Sequence, residues 1–238
     1  MLVASNVCKS FGEMKVLDDV SMQFGEKEKH VIIGPNGAGK TTFVNIMTGV
    51  YTADKGSITL DSSEISGKQP YKRARLGVNR TFQIPKPFAD LTVFENVLVG
   101  AYFGSGMGKK ESMELSDQML ELVGLYDKKY KRARELTSSQ MKLLDLARAL
   151  AGSPRYLFID ELGAGLSKSE LDNVADLVRK INDRGVSVIY IGHIMSLVSK
   201  LGGIVTAFSD GRIIAQGDYA SVVKNPEVLN VYLGENYA

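Results

Sequence analysis

The chain is poor in the residues that several kinds of site require. It has one cysteine, Cys8, and no tryptophan among its 238 residues, and its two histidines are His30 and His193. A single thiol excludes a disulfide framework and a cysteine-rich metal site within one chain, and Cys8 is expected as a small buried hydrophobe on the first strand. No apolar run approaches the ~20 residues needed to span a bilayer, so work at a membrane would need other subunits to cross it. The first nine residues lack the basic start and apolar stretch of a signal peptide, and the expected compartment is the cytosol. Neither sign of charge dominates: 29 basic and 27 acidic residues leave +2, which excludes a strongly polycationic or polyanionic strategy. What remains is ordinary for a folded globular chain, 44% apolar and 24% charged. Its length suits one large domain, or a domain with an inserted lobe.

Glycine is what the chain has in excess, 24 residues or about 10% against a usual ~7%. The glycines gather at turns, in residues 34–39, 104–108, 163–165 and 202–203, with no repeat and no flexible linker. Broken alternation over residues 2–7 and 16–24 predicts half-buried strands. Residues 30–33 form a short apolar run ending in glycine, followed by a helical stretch at 40–48, and 58–60 reads as another short strand. Residues 92–151 carry helical periodicity, with Met119, Leu120, Leu122 and Val123 on one face and Leu143, Leu144, Leu146 and Ala147 on another. Strand and helix then alternate: strand 156–159, helix 169–184, strand 187–191, helix 194–200. Residues 204–208 and 212–215 make a hairpin around Asp210-Gly211. Such alternation predicts an α/β fold with a largely parallel sheet, the helical middle being an inserted subdomain.

Gly34-Pro35-Asn36-Gly37-Ala38-Gly39-Lys40-Thr41, followed by Thr42, has P-loop spacing and lies between an apolar strand and a helix, where that motif must lie. Consecutive backbone N–H groups freed by glycine can wrap a phosphate chain, and the helix N-terminus adds its dipole. Lys40 would reach the β- and γ-phosphates and the Thr41 hydroxyl would ligate Mg²⁺. A capped Gly-rich turn is the bland alternative, and strand, loop and helix in sequence argue against it. Tyr156-Leu157-Phe158-Ile159-Asp160-Glu161 supplies a buried strand ending in two carboxylates, the end at which open α/β sheets bind ligands. Asp160 is expected to hold Mg²⁺, directly or through water, and Glu161 to act as general base on the attacking water. His193 ends the next apolar strand and is placed to meet the γ-phosphate and the water. His30 precedes the P-loop strand and reads as structural or superficial.

These elements, in this order, resemble the ATP-binding subunit of an ABC transporter over nearly the whole chain. The resemblance implies a P-loop ATPase core with a mostly parallel sheet, an N-terminal antiparallel β subdomain and an inserted α-helical subdomain. As one domain of residues 1–238, its core would be residues 1–91 and 152–238, and its helical lobe 92–151. Phe11, in Lys9-Ser10-Phe11-Gly12, matches the aromatic residue that stacks on adenine. Gln83, in Arg80-Thr81-Phe82-Gln83, matches the glutamine that senses Mg²⁺ and the γ-phosphate. Leu136-Thr137-Ser138-Ser139-Gln140 occupies the signature position, from which Thr137, Ser138, Ser139 and Gln140 would meet nucleotide. Ala164-Gly165-Leu166-Ser167 matches the loop that crosses the dimer interface. Residues 74–83, 91–97 and 225–234 are similar to subunits of branched-chain amino acid importers, and importers of urea and other amides share much of that likeness. The resemblance implies an ATPase, with ATP and Mg²⁺ as ligands, on the cytoplasmic face of the membrane. Two ATPase subunits, the same or homologous, would close head to tail around two nucleotides, and a permease helix would enter the groove near residues 83–94.

The departures lie around the catalytic centre. Ser138 and Ser139 replace the glycines of the usual Leu-Ser-Gly-Gly-Gln, Leu162 stands where proline is usual, and Gly192-His193-Ile194 replaces Glu-His-Asp. A serine adds a side chain where a phosphate should approach and removes the freedom of glycine. Two other readings compete. A hydrolysis-impaired nucleotide-binding module is favoured by the signature and opposed by Glu161 and His193. An ABC-type ATPase acting on nucleic acid or the ribosome is suggested by the basic residues 71–75 and 128–134. For those stretches a solvated helix face is the simpler account, and no nucleic acid is expected as partner.

Overall fold

The computed structural model describes residues 1–163 and 166–234, so Ala164 and Gly165 of the expected dimer-crossing loop lie outside the described residues. The chain opens with β1 (Leu2–Phe11), β2 (Met14–Phe24) and β3 (Lys29–Ile33), then α1 (Lys40–Met47). Next come β4 (Lys55–Leu60), β5 (Ser63–Glu64), α2 (Pro70–Arg75) and β6 (Val78–Arg80). A helical stretch follows, α3 (Val93–Gly104), α4 (Lys109–Leu122) and α5 (Ser138–Ala151). The last part alternates through β7 (Tyr156–Asp160), α6 (Lys168–Asp183), β8 (Ser187–Ile191), α7 (Met195–Leu201), β9 (Ile204–Ser209) and β10 (Arg212–Gly217). It ends in α8 (Tyr219–Val222) and α9 (Pro226–Gly234).

One sheet is antiparallel, in the order β2-β1-β4-β5, with Leu2 opposite both Phe24 and Leu60. The other runs β10-β9-β3-β8-β7-β6 and is parallel except for β10. Its inner strands β3, β7 and β8 are near-continuous hydrophobic runs because both faces are covered. On β3, Val31 and Ile33 enter one core and Ile32 the other. On β7, Leu157 and Ile159 pack under the helices, while Tyr156 and Phe158 join Phe24, Phe43 and Phe208 beneath the antiparallel sheet. Side-chain period 2 thus assigns each residue to a layer.

The C-terminal ends of β3, β7 and β8 lie side by side, since β8 sits between the other two. Loops leaving those three ends therefore share one rim of the sheet, the place where ligands bind in open α/β folds. Helices α3, α4 and α5 pack on one another, and Thr92 bridges to Arg132 at the foot of that bundle. Val93 N–H and Phe94 N–H donate to the Lys131 and Lys129 carbonyls, both at 2.9 Å. Each of α3, α5 and α6 opens with a capping box, Thr92 with Glu95, Thr137 with Gln140 and Ser167 with Glu170, satisfying N–H groups that a helix start leaves unpaired.

Three expectations need correction. Cys8 is half-buried, not enclosed, because β1 bulges between Ser5 and Cys8. Strand β6 lay outside the expected set, for three residues are too few to display a period. The basic stretch 71–75 is not wholly a solvated face, because Arg73 is 1% exposed. His30 is buried, with its ring edge-on to Phe24 and Nε2 2.8 Å from Glu28 Oε2. Among the described residues no helix is long and apolar enough to cross a membrane.

Candidate functional site

The loop after β3 is built where only glycine can stand. At Gly34 (φ 147°) a Cβ would lie 2.3 Å from the Phe208 carbonyl oxygen. At Gly39 (φ 96°) it would lie 2.8 Å from both the Val16 carbonyl oxygen and Leu17 Cδ2. Gly39 caps α1, and no side chain closes its N–H groups and no acid sits in the first turn. Those donors and the helix dipole make a natural anion site. Lys40 is 8% exposed, and its Nζ donates to the Gly34 and Pro35 carbonyls, each at 2.6 Å. The ammonium is thereby held over the loop it serves.

A cleft of about 620 Å³ covers this loop. Asn36, Gly37, Ala38, Gly39, Lys40, Thr41 and Thr42 line it from one side. Phe11 lines another wall, and Gln83, Asp160 and Glu161 line the end nearest the sheet. Phe11 is at the end of β1, exposed, with its ring edge-on to Tyr51 at 5.3 Å. Such an exposed aromatic face suits a stacked base.

Asp160 is 5% exposed. Burial pushes its carboxyl above the ordinary carboxylate range, opposed by the nearby Arg80 and Lys40 charges and assisted by Glu161. Its backbone N–H donates to Thr81 Oγ1 at 3.0 Å. Its Oδ2 accepts no hydrogen bond from the described residues, and an Arg80 guanidinium nitrogen stands 3.7 Å away. Arg80 in turn donates to Asn45 Oδ1 on α1 and, at 3.0 Å, to the Thr81 carbonyl. A buried carboxylate oxygen with a spare lone pair, in a cleft that Thr41 also lines, is the donor chemistry a hard divalent cation takes. Among the described residues no group of three or more His, Cys, Asp or Glu could hold a metal by itself. A cation here would therefore need phosphate oxygens and water to complete its shell.

Glu161 has φ +46°, a left-handed conformation costing a non-glycine residue of order 1–3 kcal/mol. Both its backbone polar groups are tied: N–H to the Ile191 carbonyl at 2.9 Å, and C=O to Lys142 Nζ at 3.2 Å. The turn aims the carboxylate at two side chains from other elements. Gln83 Nε2 donates to Glu161 Oε2 at 3.1 Å, and His193 Nδ1 lies 3.4 Å from Oε1. Loops from β6, β7 and β8 thus meet at one carboxylate.

Residues 137–140 are elsewhere: none of them lines the cleft. Thr137 Oγ1 accepts from Gln140 N–H at 3.3 Å, and Gln140 Oε1 accepts from Thr137 N–H at 3.1 Å. Ser138 and Ser139 begin α5, exposed, and neither has a positive φ. The freedom glycine would bring is not used there, so serine costs the backbone nothing. Sequence reasoning missed Thr81 and Arg80 as supports of Asp160, and Lys142 altogether. Arg80 and Thr81 stand beside Gln83 in the sequence, but nothing in their spacing announces which strand end they brace.

Comparison with known proteins finds relatives over nearly the whole chain. A family model described as "ABC transporter" matches residues 17–164, and one described as "Branched-chain amino acid ATP-binding cassette transporter" matches residues 212–238. The probable branched-chain amino acid transport ATP-binding protein LivG of Methanocaldococcus jannaschii is 33% identical over 254 residues, covering 99% of this chain and 98% of its own. The high-affinity branched-chain amino acid transport ATP-binding protein BraF of Pseudomonas aeruginosa is 35% identical over 250 residues, with the same coverage. The crystal structure of the ADP conformation of an ATP-binding cassette of an ABC transporter superposes with a TM-score of 0.86 at 31% identity, covering 98% of each chain.

Proposed function

The chain belongs to the ABC transporter family and is one of its ATPases, and on that premise we propose that it powers an importer of branched-chain amino acids. Its near full-length similarity to LivG and BraF proteins supports that solute class. The observation that carries the catalytic reading is the meeting of Lys40, Thr41, Gln83, Asp160 and Glu161 in one cleft. In this reading residues 1–91 and 152–238 are the catalytic core and 92–151 the helical lobe.

Phe11 stacks on adenine. The loop N–H groups of residues 34–39 and the start of α1 receive the phosphates, with Thr42 beside them. Lys40 turns its ammonium from the loop carbonyls toward the β- and γ-phosphates. Thr41 and Asp160 hold Mg²⁺, with Gln83 beside it. Bound there, Mg²⁺ would neutralise phosphate charge as the γ-phosphoryl leaves. Glu161 accepts the proton of the attacking water while Gln83 and His193 fix its carboxylate and the water's orientation. Thr137, Ser138, Ser139 and Gln140 lie outside this cleft and therefore serve the nucleotide of a second ATPase subunit.

The chain works at the cytoplasmic face of the membrane, as a peripheral subunit against permeases. A groove of about 430 Å³ between α2, the 82–88 segment and α3 is walled by Tyr71, Phe82, Phe88 and Phe103, all exposed. Exposed aromatic side chains around a groove suit an amphipathic helix, and a cytoplasmic helix of the permease is its occupant.

The test is Mg²⁺-ATP hydrolysis across a range of protein concentrations, then with permease and solute-binding partners in vesicles. Turnover should rise faster than linearly with concentration and be stimulated by leucine, isoleucine or valine. Glu161→Gln should lower kcat by about 10²–10⁴ while ATP still binds and dimers accumulate. Stimulation by urea or another amide alone would overturn the solute assignment. Unchanged turnover in Glu161→Gln would overturn the assignment of the base.

A further inference from the structure

Lys142 belongs to α5, one turn beyond Ser138 and Ser139. Its ammonium leaves the helical bundle and donates to the carbonyl oxygen of Glu161 at 3.2 Å. It thereby links the helix that opens with the signature to the residue after β7, across 19 positions of sequence. The carbonyl it holds belongs to a residue in the left-handed region, φ +46°. The opposite side of that residue is fixed by its N–H bond to Ile191 at 2.9 Å. One peptide group is thus tied to β8 and the next to α5, and between them they set the direction of the Glu161 carboxylate toward Gln83 and His193. A third cavity, of about 430 Å³, lies outside the nucleotide cleft and is lined by Ser139, Lys142, Leu162, Leu166 and Glu170. It puts Ser139 and Lys142 on the same side of α5.

We propose that Lys142 is a positioning residue for ATP hydrolysis: it holds the strained turn of Glu161 through the backbone and ties the catalytic carboxylate to the helix carrying the signature. The inference rests on the reading of Glu161 as the general base. A cation donating to a carbonyl makes a strong, directional bond. Without it the left-handed turn relaxes toward ordinary φ, and the carboxylate swings off its two partners. Displacements near 1 Å cost about 10²-fold in rate when they misplace a reacting group. Because α5 is a continuous helix, any shift imposed at Ser138 and Ser139 reaches the Glu161 carbonyl through the same side chain.

The experiment compares Lys142→Met, Lys142→Arg and Glu161→Gln in the full chain, in the assembly in which the wild type turns over. It reads kcat, KM, ATP affinity and melting temperature. Lys142→Met should lose at least fivefold in kcat with ATP affinity within twofold of wild type, and Lys142→Arg, which keeps a charged donor, should recover at least half of wild-type kcat. Lys142→Gln replaces the methionine variant if the latter melts early. A loss under fivefold, a loss seen in ATP affinity, or an arginine variant no better than methionine would overturn the proposal while Glu161→Gln stays inactive. An active Glu161→Gln would instead remove the premise about the base, and with it this role for Lys142.

Discussion

Asp160 is a carboxylate that the fold holds against its own solvation. The side chain is almost wholly enclosed, and the net effect of burial, Arg80, Glu161 and Lys40 is to raise its pKa above the ordinary 3.8. The sign follows from linkage: between 3.8 and the raised folded value the native state binds the extra proton, so stability falls as pH rises through that window. Above it, the ionised side chain is a standing cost. Asp160→Asn should therefore stabilise the chain at neutral pH by about 1 kcal/mol, or roughly 2–4 °C in Tm for a chain of this size. The gain should vanish below the ordinary carboxylate range, where the wild-type group is already neutral. Mg²⁺-dependent ATP turnover should fall at least about 10²-fold in the same variant. Thermal melting from low to neutral pH beside a turnover assay checks both halves, and a variant less stable than wild type at pH 7 contradicts the argument. That Asp160 ends a buried strand was legible in the sequence, since four apolar residues precede it. Its Thr81 and Arg80 supports were not, because they arrive from β6, a strand of three residues with no readable period.

At the scale of elements, α1 carries the phosphate loop at its front and depends on α2 at its rear. Arg73 donates to the Ile46 and Met47 carbonyls at the end of α1, at 2.5 and 2.9 Å, and to the Ser66 and Lys68 carbonyls at 2.6 and 3.0 Å. Its guanidinium closes carbonyls that a helix end leaves unpaired and meets the negative pole of the dipole. Burial lowers the Arg73 pKa to about 10, so the group stays charged through neutral pH. Arg73→Met keeps much of the volume and takes the guanidinium from the Met47, Ser66 and Lys68 carbonyls, while the Ile46 carbonyl keeps Gly49 N–H at 3.1 Å, at a cost of about 3 kcal/mol. Tm should drop by roughly 6–12 °C, while ATP affinity measured well below the melt stays within a few-fold of wild type. A shift under about 3 °C would mean that water replaces the guanidinium. In the sequence Arg73 was one of several basic residues in a row, and composition gives no way to separate a buried arginine from its solvated neighbours. The long elements were legible for the opposite reason. Helix α6 shows its apolar stripe and its Ser167–Glu170 cap in the sequence itself, and β3, β7 and β8 announce burial on both faces by apolar runs, as the three residues of β6 do not.

At the scale of the whole molecule, the signature stretch and the phosphate cleft do not meet within one chain, since residues 137–140 contribute nothing to the cleft lining. In the proposed reading a complete site draws the start of α5 from a second ATPase subunit, and each of the two sites in such a pair is a composite. The P-loop order along the sequence was readable from spacing. That separation came only through the family resemblance, as the head-to-tail pairing, because residue spacing does not say that the signature opens one helix while the loop leaves another sheet end. Ser138 and Ser139 stand at the first two positions of α5 in ordinary helical geometry. They leave the helix N-terminus intact but add two hydroxymethyl groups at the surface that the proposed pairing would bring to phosphate. If the partner is a homologue with glycine at those positions, the site on this chain's Lys40 receives an unobstructed helix end, while the partner's P-loop receives the serines. The two P-loops should then be unequal. Replacing Lys40 by alanine should remove most of the assembled transporter's turnover, about 10²-fold, by loss of a cation at the phosphates. Replacing the partner's P-loop lysine should leave a substantial fraction. Ser138→Gly with Ser139→Gly should narrow the difference by raising the activity of the partner's site. Equal losses from the two lysine substitutions, with no gain from the double glycine variant, would mean that the serine hydroxyls serve phosphate as well as glycine N–H groups do, and that the pair is functionally symmetric despite its sequence.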